Sequence, residues 1–425
     1  MSYSLRVVTL PPVVKGAEAV RFAEEVRRRG ANILEVRTDL HAPEDVDGLA
    51  LSNVLPLLIS ERGKPLPSAW LAVANYVDRD VTVSTEAPVG PGRLLVASHH
   101  AERPLSTEEA LRLWEATLPA NAFVKHIEPL GSPARLPQLL ETQARLIARF
   151  GQRRVTVLAM GAVALPARAV LAGRNALDYV AAGGGWSAAP GQRLLDDVVR
   201  GGRNPHPRPL PEGEGALALR KGILGTSIVH SRSPRIHRQP FDRIDIPEDG
   251  PVEELVDSLL PHYAGFAVTS PFKLRLAKHT RSPLEAINTL VRRGDHWESF
   301  NTDVEGARTV LKRLGAREAF VLGDGGSTAA LRAVSREVDC PLRVLKRSEI
   351  QQPLSGAGVW TWPDRIPPPE GLRFEGARVA VIAYGTPGRR VAQEISRRGG
   401  TPVMLGAAWF IAQARRQREL WESAT

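Results

Sequence analysis

Cysteine and aromatic residues are scarce in this chain. Of its 425 residues only Cys340 is a cysteine, and 5% are aromatic. A lone cysteine excludes an internal disulfide and any metal cluster held by several thiolates. Few aromatic rings leave few surfaces on which the bases of single-stranded nucleic acid can stack. We interpret Cys340 as a small buried residue rather than as a reactive thiol.

Long hydrophobic runs are also missing. No uninterrupted apolar stretch approaches the ~20 residues that a membrane-spanning helix needs. The first residues, "MSYSLRVVTLPPVVKG", have neither the apolar core nor the small-residue cleavage site of a secretory signal. With 43% apolar and 24% charged residues the composition is that of a globular protein. We therefore expect a cytoplasmic protein without a membrane partner.

Negative charge is outnumbered, and the formal net charge is +10. Such a charge permits a polyanionic partner, but the basic residues are spread in short clusters such as "RRR", "QRR" and "ARRQR". No helix-turn-helix, zinc-finger or RNA-recognition signature accompanies them. A nucleic-acid partner is not expected, and a basic nucleic-acid-binding protein that uses "HSRSPR" is kept as the alternative from another functional class.

The chain is too long for one ordinary hydrophobic core. Residues 200–218, "RGGRNPHPRPLPEGEGALA", combine proline, glycine and charge with almost no apolar periodicity. This composition favours extended, solvated backbone. We interpret residues 200–218 as a linker, with one half of the protein on each side.

The half before the linker alternates short β-rich runs with helical patterns. The runs are "LRVVTL", "ANILEVRTDL", "NVLPLLIS", "RLLVASHH", "NAFVKHIE" and "RRVTVLAMG". Buried parallel strands have this composition, and repeated strand–helix units over about 200 residues are typical of a closed barrel. Residues 1–199 are therefore predicted to form a (β/α)8 TIM-type barrel of the α/β class, with an open doubly wound sheet as the alternative.

The half after the linker has the same alternation, with one glycine-rich turn. Its apolar strands are "KGILGTSIV", "HYAGFAVTS", "EAFVLGDGG", "PLRVLKRS" and "ARVAVIAYG". The glycines Gly323, Gly325 and Gly326 lie between a strand and an alanine-rich helix, where backbone N–H groups can receive a pyrophosphate. The next strand ends in "KRS", and Arg347 there suits the 2′-phosphate of a cofactor ribose. This pattern predicts a Rossmann-type domain that prefers NADP to NAD.

Five separated motifs carry a resemblance to a known family. They are "HSRSP" (230–234), "VTSPFK" (268–273), "NTL" (288–290), "NTD" (301–303) and "GDGG" (323–326). In identity, order and spacing they resemble the shikimate dehydrogenase family over about residues 222–421. The resemblance implies a substrate-binding domain at 219–310, an NADP-binding domain at 311–405 and a C-terminal helix at 406–425 that returns to the substrate domain.

The resemblance also implies roles for individual residues. Lys273 and Asp303 would form the catalytic pair of a reaction that reduces 3-dehydroshikimate to shikimate with NADPH. The substrate-binding residues would be Ser231, Ser233, Thr269, Asn288, Tyr384 and Gln413. The cofactor-binding residues would be Gly323, Gly325, Gly326, Lys346, Arg347 and Ser348. Taken singly, Lys273 also fits a solvent-facing lysine, and Asp303 fits a helix N-cap.

Lys125 is the most unusual residue of the first half, because it interrupts an apolar strand. Together with "EVRTD" (35–39) and "APGQ" (189–192) it resembles type I 3-dehydroquinate dehydratase, a barrel enzyme. The resemblance implies that Lys125 forms a Schiff base with the substrate and that His100 is the general acid and base. The substrate-binding residues it implies are Glu35, Arg37, Arg168 and Gln192.

The stretch "SERGKPLPSAW" lacks the Glu-Gly-Gly that follows the third strand in that family. A catalytically inactive barrel is therefore kept as an alternative. A metal at His99 and His100 is not expected, because adjacent strand residues point to opposite faces.

The two families catalyse consecutive steps of aromatic amino-acid precursor synthesis. We therefore expect a bifunctional enzyme, a lyase fused to an oxidoreductase. Its partners are the small molecules 3-dehydroquinate, 3-dehydroshikimate and shikimate, and a homodimer is left open.

Overall fold

The computed structural model of the chain describes residues 4–82, 92–161, 164–183, 185–201, 220–228, 231–237, 241–363 and 366–423. The chain divides into two compact units, Met1–Pro234 with Arg238–Tyr263, and Arg235–His237 with Ala264–Thr425. The predicted linker at 200–218 lies outside the described residues, except for its first two positions. No described helix is long and apolar enough to cross a membrane.

The first unit contains an eight-stranded parallel sheet, ordered β7-β6-β5-β4-β3-β2-β1-β8. The strands are β1 (Leu5–Thr9), β2 (Ile33–Arg37), β3 (Leu57–Ser60), β4 (Tyr76–Asp80), β5 (Leu94–His100), β6 (Phe123–Pro129), β7 (Val155–Met160) and β8 (Leu177–Val180). The helices that alternate with them are α1 (Gly16–Arg28), α2 (Gly48–Ser52), α3 (Ser68–Val73), α4 (Thr107–Thr117), α5 (Leu136–Phe150), α6 (Ala164–Ala172) and α7 (Leu195–Gly201). The sheet is a nearly closed barrel, and the predicted α/β class is confirmed.

The barrel closes between β7 and β8 through two side chains and a backbone hydrogen bond, from the N–H of Ala176 to the carbonyl oxygen of Val155 at 2.7 Å. Asn175 is 2% exposed, and its Nδ2 donates to the carbonyl oxygen of Val157 at 2.9 Å. The N–H of Val157 donates back to Asn175 Oδ1, also at 2.9 Å. The hydroxyl of Thr156 accepts from the N–H of Leu177 at 2.9 Å. Elsewhere in the sheet, backbone N–H and C=O groups pair with those of the neighbouring strand. At this seam side chains take the place of some of those partners.

The two faces of the barrel strands have different surroundings, because successive side chains point to opposite sides. Val7 belongs to the apolar cluster inside the barrel, and Val8 to the cluster between strands and helices. The same alternation places Val96, Ser98 and His100 on one face of β5. The polar side chains at the C-terminal ends of the strands therefore project over the apolar interior cluster.

Beyond the barrel, the first unit contains two further parallel strands, β9 (Arg220–Gly225) and β10 (Phe241–Asp245). Helix α8 (Ser233–His237) lies between these strands along the chain, and α9 (Val252–Leu259) follows β10. Leu255, Val256 and Leu259 of α9 are buried.

The second unit contains the antiparallel strands β11 (Tyr263–Val268), β12 (Thr289–Arg293) and β13 (His296–Phe300), except for Tyr263, which belongs to the first unit. The helices in this part are α10 (Lys273–His279), α11 (Asp303–Leu314) and the last helix, α14 (Gly406–Glu422). The indole of Trp421 donates from Nε1 to the carbonyl oxygen of Leu290 at 2.9 Å. A Cβ on Gly265 would lie 2.1 Å from that indole nitrogen, so the close approach of α14 requires glycine there.

The rest of the second unit is a five-stranded parallel sheet of the doubly wound type, ordered β15-β14-β16-β17-β18. The strands are β14 (Ala319–Leu322), β15 (Leu342–Leu345), β16 (Ala357–Trp360), β17 (Arg378–Val381) and β18 (Thr401–Met404), with helices α12 (Gly326–Ser335) and α13 (Gly385–Arg397). The chain reverses direction across the sheet between β14 and β16. Doubly wound proteins bind ligands at this switch point.

The barrel seam predicts a large effect of Asn175→Ala. The substitution leaves the buried N–H and C=O of Val157 without their partner, and an unsatisfied buried group costs about 1–3 kcal/mol. We expect the free energy of unfolding to fall by about 3 kcal/mol in urea denaturation. The control Asn53→Ala changes an exposed residue after α2 and is expected to cost about 0.5 kcal/mol or less. Equal losses in the two variants contradict the role given to Asn175.

Candidate functional sites

A buried ion pair occupies the upper interior of the barrel. Lys125 on β6 is 4% exposed, and its ammonium donates to Asp78 Oδ2 at 2.6 Å. Asp78 on β4 is fully buried, and Oδ2 also accepts from Nη2 of Arg62 at 3.0 Å. One carboxylate thus neutralises part of two positive charges that are withdrawn from water.

The pKa values of both residues of this pair are lowered, but for different reasons. Burial disfavours the ammonium and lowers the pKa of Lys125, although the charge of Asp78 opposes the shift. Burial also disfavours the charged carboxyl of Asp78, yet Lys125 and Arg62 hold its pKa far below the ordinary value. Asp78 therefore stays ionised, and Lys125 releases its proton more readily than a solvated lysine.

Hydrogen-bonded side chains continue from this pair across β3, β2 and β1. Ser60 donates to Glu35 Oε1 at 2.6 Å, and Thr9 donates to Glu35 Oε2 at 2.5 Å. On the other side, the Lys125 ammonium lies 4.2 Å from the ring centre of Tyr179. The Tyr179 hydroxyl is buried and has no hydrogen-bond partner among the described residues. The interior is thus polar around Lys125 and has a donor available for a ligand.

His100 and His99 end strand β5 on opposite faces. Loss of hydration, reinforced by the charges of Arg62 and Lys125, lowers the pKa of His100 to about 4. Its imidazole is therefore neutral at neutral pH and can accept a proton. The ring of His99 instead stacks on His126, with centroids 6.0 Å apart. No cluster of three or more potential metal ligands occurs in the part of the chain that the structure describes.

The other predicted barrel residues lie farther along the rim. Arg37 pairs with Asp39 at 2.7 Å, and its Nη1 lies 3.5 Å from the carbonyl oxygen of Ala188. Gln192 Oε1 accepts from the N–H of Ala188 at 3.0 Å. Arg37 and Gln192 therefore both contact the backbone of Ala188. Arg168 is buried in α6, where its Nε donates to the carbonyl oxygen of Ala159 at 2.8 Å. Burial lowers the pKa of Arg168 to about 10.

The sequence analysis missed three residues that contact Lys125 or its partner: Arg62, Asp78 and Tyr179. Asp78 lies in "YVDRD", whose three charged residues hide a strand. The spacing of Asp78 and Asp80 could have indicated the strand. Two carboxylates two residues apart lie on the same face of a strand. Arg62 follows β3 in a loop, where no periodicity marks it.

In the second unit Lys273 and Asp303 are paired. Lys273 Nζ donates to Asp303 Oδ2 at 2.6 Å, and their side chains are 24% and 8% exposed. Trp409 lies 3.3 Å from the other carboxylate oxygen through its Nε1. Thr302 is the N-cap of α11, and Asp303 is its first residue. The carboxylate of Asp303 therefore holds the lysine and the indole, while the lysine keeps a partly open side.

Hydrogen bonds connect Asn288 and its neighbour Ile287 to the segments that carry Asp303 and Lys273. Its Nδ2 donates to Gln413 Oε1 at 3.1 Å, and its Oδ1 accepts from the N–H of Thr302 at 2.7 Å. The N–H of Ile287 donates to the carbonyl oxygen of Lys273 at 3.2 Å, and Asn288 accepts from the N–H of Val268 at 2.8 Å. Thr269, directly after Val268, is thus brought to the same edge of the sheet.

The remaining predicted substrate residues lie in different places. Ser231 and Ser233 belong to the first unit, and their hydroxyl oxygens are 3.3 Å apart. Tyr384 belongs to the second unit, where it precedes α13 and packs on Phe410 with ring centres 4.9 Å apart.

The glycine turn after β14 has the shape of a cradle for a ligand. A Cβ on Gly323 would lie 2.6 Å from Thr361 Oγ1, whereas nothing lies within 4 Å of a Cβ on Gly325 or Gly326. Gly325 is the N-cap of α12 and provides no side-chain cap. The start of α12 therefore has no side-chain cap and leaves room beside its first glycines.

The end of the neighbouring strand β15 is positively charged. Lys346, Arg347 and Ser348 are exposed, and the Arg347 guanidinium lies 5.1 Å from the ring centre of Trp362. A phosphate that reaches this edge of the sheet meets two basic side chains and a hydroxyl.

Comparison with curated proteins finds relatives that match part of the chain. The chain is 34% identical over 146 residues to a shikimate dehydrogenase (NADP(+)) of Anaeromyxobacter dehalogenans, a match of 30% of this chain and 52% of that protein. It is 33% identical over 144 residues to a shikimate dehydrogenase (NADP(+)) of Helicobacter pylori, with 30% and 55% covered. The chain thus spans about half the length of the curated relatives it matches.

Comparison with solved structures finds shikimate dehydrogenases, both single and fused to another enzyme. The dehydroquinate dehydratase and shikimate dehydrogenase from S. pombe covers 100% of this chain at 17% identity and a TM-score of 0.36, with 96% of that chain matched. A shikimate 5-dehydrogenase from Thermus thermophilus covers 48% of this chain and 93% of its own, at 20% identity and a TM-score of 0.38. No protein-family profile matches the chain.

The buried pair in the barrel predicts a strong effect of Asp78→Ala on stability. The substitution leaves the charges of Lys125 and Arg62 without their carboxylate, and breaking a buried pair in this way costs about 3–5 kcal/mol. The loss measured by urea unfolding should shrink as the pH rises, because Lys125 then sheds its proton in the folded protein before it does so in the unfolded one. Asp39→Ala breaks a more exposed pair, for which we expect about 0.5 kcal/mol. A loss as small for Asp78→Ala contradicts this account.

Proposed function

We propose that the second half of the chain oxidises shikimate and reduces 3-dehydroshikimate with NADP as its cofactor. The observation that carries the proposal is the pair of Lys273 and Asp303, held at 2.6 Å in a partly open position. Relatives named as shikimate dehydrogenases that use NADP support it, at 34% identity over 146 residues. In this proposal shikimate and 3-dehydroshikimate, two small polar molecules with one carboxylate each, are interconverted.

Lys273 has the chemistry that reduction of a ketone requires. The cofactor supplies the hydride when it is bound. Negative charge then develops on the ketone oxygen, where an ammonium within hydrogen-bonding distance stabilises it and donates a proton. Asp303 orients Lys273 through their hydrogen bond, and the indole of Trp409 contacts the other oxygen of the carboxylate. In the direction of oxidation, the neutral amine of Lys273 takes the proton of the substrate hydroxyl.

The glycine turn and the end of β15 fit the proposed cofactor. Gly325 and Gly326 leave space above the uncapped start of α12, which suits a pyrophosphate. Arg347, flanked by Lys346 and Ser348, would hold the 2′-phosphate that distinguishes NADP from NAD. Ser231, Ser233, Thr269, Asn288, Tyr384 and Gln413 are proposed to bind the substrate.

We propose that the barrel dehydrates 3-dehydroquinate to 3-dehydroshikimate. The neutral amine of Lys125 attacks the substrate ketone and releases water as the imine forms. His100, neutral at neutral pH, removes the proton next to the imine carbon, and the neighbouring C–O bond breaks with loss of a second water. Hydrolysis of the imine frees Lys125. Glu35, Arg37, Arg168 and Gln192 are proposed to bind the substrate.

A shikimate dehydrogenase with a catalytically inactive barrel is the second candidate. It is favoured by the surroundings of His100, because the groups nearest to its ring include the positive charges of Arg62 and Lys125. These charges oppose the imidazolium that a general base becomes during the reaction. The domain bounds 1–199, 219–310, 311–405 and 406–425 are part of the proposal, with 200–218 as the linker.

The dehydrogenase proposal predicts that Lys273→Ala loses activity. The purified full chain should reduce NADP when shikimate is supplied, with a lower rate on NAD. Loss of the proton-transfer group should lower kcat by about 100-fold or more. Lys278→Ala removes an exposed lysine of the same helix and should leave kcat unchanged. A wild-type protein without turnover, or equal rates in the two variants, contradicts the proposal.

The dehydratase proposal predicts a covalent adduct on Lys125. Borohydride added with 3-dehydroquinate should reduce the imine, and mass spectrometry of the digested protein should find the added mass on the peptide that contains Lys125. Lys125→Met should abolish the adduct while the reduction of NADP by shikimate persists. Shikimate dehydrogenase activity without an adduct supports the inactive barrel instead.

A further inference from the structure

Buried charges join the last helix of the barrel to β10 within the first unit. Arg193, just before α7, pairs with Asp178 on β8 at 2.5 Å and lies 3.8 Å from Asp242 on β10. One helical turn further, Asp197 of α7 pairs with Arg243 of β10.

Asp242 is a fixed anchor of this cluster. It accepts two hydrogen bonds from Arg220, at 2.6 and 2.7 Å, and a third from the hydroxyl of Tyr263 at 2.8 Å. Burial opposes ionisation, yet the Arg220 guanidinium holds the pKa of Asp242 below its ordinary value. The residue next to this anchor, Arg243, therefore begins from a well-defined backbone position.

Arg243 of β10 links helix α7 of the barrel to the loop of the two serines. Its Nη1 binds Asp197, and its Nη2 donates to the carbonyl oxygen of Ser231 at 2.8 Å. The Arg243 and Asp197 side chains are only 13% and 9% exposed. A planar guanidinium that satisfies both partners at once fixes the direction of the Ser231 carbonyl, and with it the adjoining hydroxyl.

Asp197 is itself held by the barrel. Leu195 of α7 is fully buried in the outer barrel core, and Asp196 pairs with Arg29 at 2.9 Å. Val199 packs against Gly30, where a Cβ would lie 2.9 Å from its methyl group. Helix α7 thus presents Asp197 from a fixed position.

Packing alone does not hold this region. A cavity of about 150 Å³ lies beside the two arginines, and it is also lined by Gln192, Val198 and Ile228. Side chains around such a space have few contacts on that side. The ion pair, and not close packing, therefore sets the orientation of Arg243.

We propose that Arg243 is a positioning residue for the Ser231 loop and that Asp197 of the barrel sets its orientation. The inference rests on the proposed function, in which Ser231 binds the carboxylate of shikimate. It assigns the barrel a role in the dehydrogenase reaction that does not depend on whether the barrel is itself catalytic. In this proposal Arg243 and Asp197 act through Ser231 and not directly on the reacting atoms.

Two matched variants of α7 test the proposal in the full-length protein. Asp197→Asn and Asp196→Asn each remove one charge from neighbouring positions. Asp197 is linked to Ser231 through Arg243, whereas Asp196 pairs with Arg29. We expect Asp197→Asn to raise the KM for shikimate about tenfold, because the hydroxyl donors lose their fixed position. Its kcat and its KM for NADP should stay within about twofold of the wild type. Asp196→Asn should change none of these values by more than about twofold.

A conservative substitution separates positioning from folding. Arg243→Lys keeps one charge that can reach Asp197, and Arg243→Met keeps none. The KM for shikimate should rise in the order wild type, Arg243→Lys, Arg243→Met. A general loss of structure would instead lower kcat and raise the KM for NADP in parallel, which contradicts the proposal.

Hydrogen–deuterium exchange gives a readout that needs no activity. Peptides that contain Ser231 should exchange faster in Asp197→Asn than in Asp196→Asn, with barrel peptides unchanged. Equal exchange of these peptides in the two variants overturns the inference even if the wild type oxidises shikimate. A second outcome is that these peptides exchange faster in Asp197→Asn while the wild type does not oxidise shikimate. That outcome supports the positioning contact and overturns only the proposed function.

Discussion

An ammonium group withdrawn from water needs a carboxylate within hydrogen-bonding distance, and each of the two units is organised around one such pair. Lys125 and Asp78 meet at 2.6 Å inside the barrel, and Lys273 and Asp303 meet at 2.6 Å beside the antiparallel strands. In both pairs the two residues come from different elements. The pairing therefore requires the surrounding fold to form before either lysine can be used.

The two pairs differ in burial, and the difference fits their proposed reactions. Lys125 is almost completely buried, which lowers its pKa and favours the neutral amine that an imine requires. Lys273 keeps 24% of its side chain exposed and remains in contact with water, as suits a group that donates and regains a proton at each turnover. One residue type thus serves as a nucleophile in one place and as a proton donor in another, according to its surroundings.

Much of the fold follows from the apolar runs of the sequence. The runs that end in "VRTDL", "LLIS", "VASHH" and "VKHIE" contain β2, β3, β5 and β6. Strand β4 was missed because Asp78, Arg79 and Asp80 make it read as a loop, although Asp78 points into the barrel. The hairpin of β12 and β13 was missed because residues such as His296 and Glu298 on its exposed face break the apolar pattern.

Prediction of the sites from the sequence was also limited to patterns that are local in the chain. Motifs locate residues along the chain, and so Lys273, Asp303 and Asn288 were found together with their neighbours. A contact such as that of Asp197 with Arg243 leaves no local pattern, because its two residues are far apart in sequence and each alone is an ordinary surface charge. Only the folded chain shows that the pair is buried and what it holds.

The most direct measurement is a single assay that begins with 3-dehydroquinate and NADPH. The account predicts that the purified full chain consumes NADPH and forms shikimate, with one cofactor oxidised for each molecule of 3-dehydroquinate. Failure to oxidise NADPH even when 3-dehydroshikimate is supplied directly would contradict the central claim.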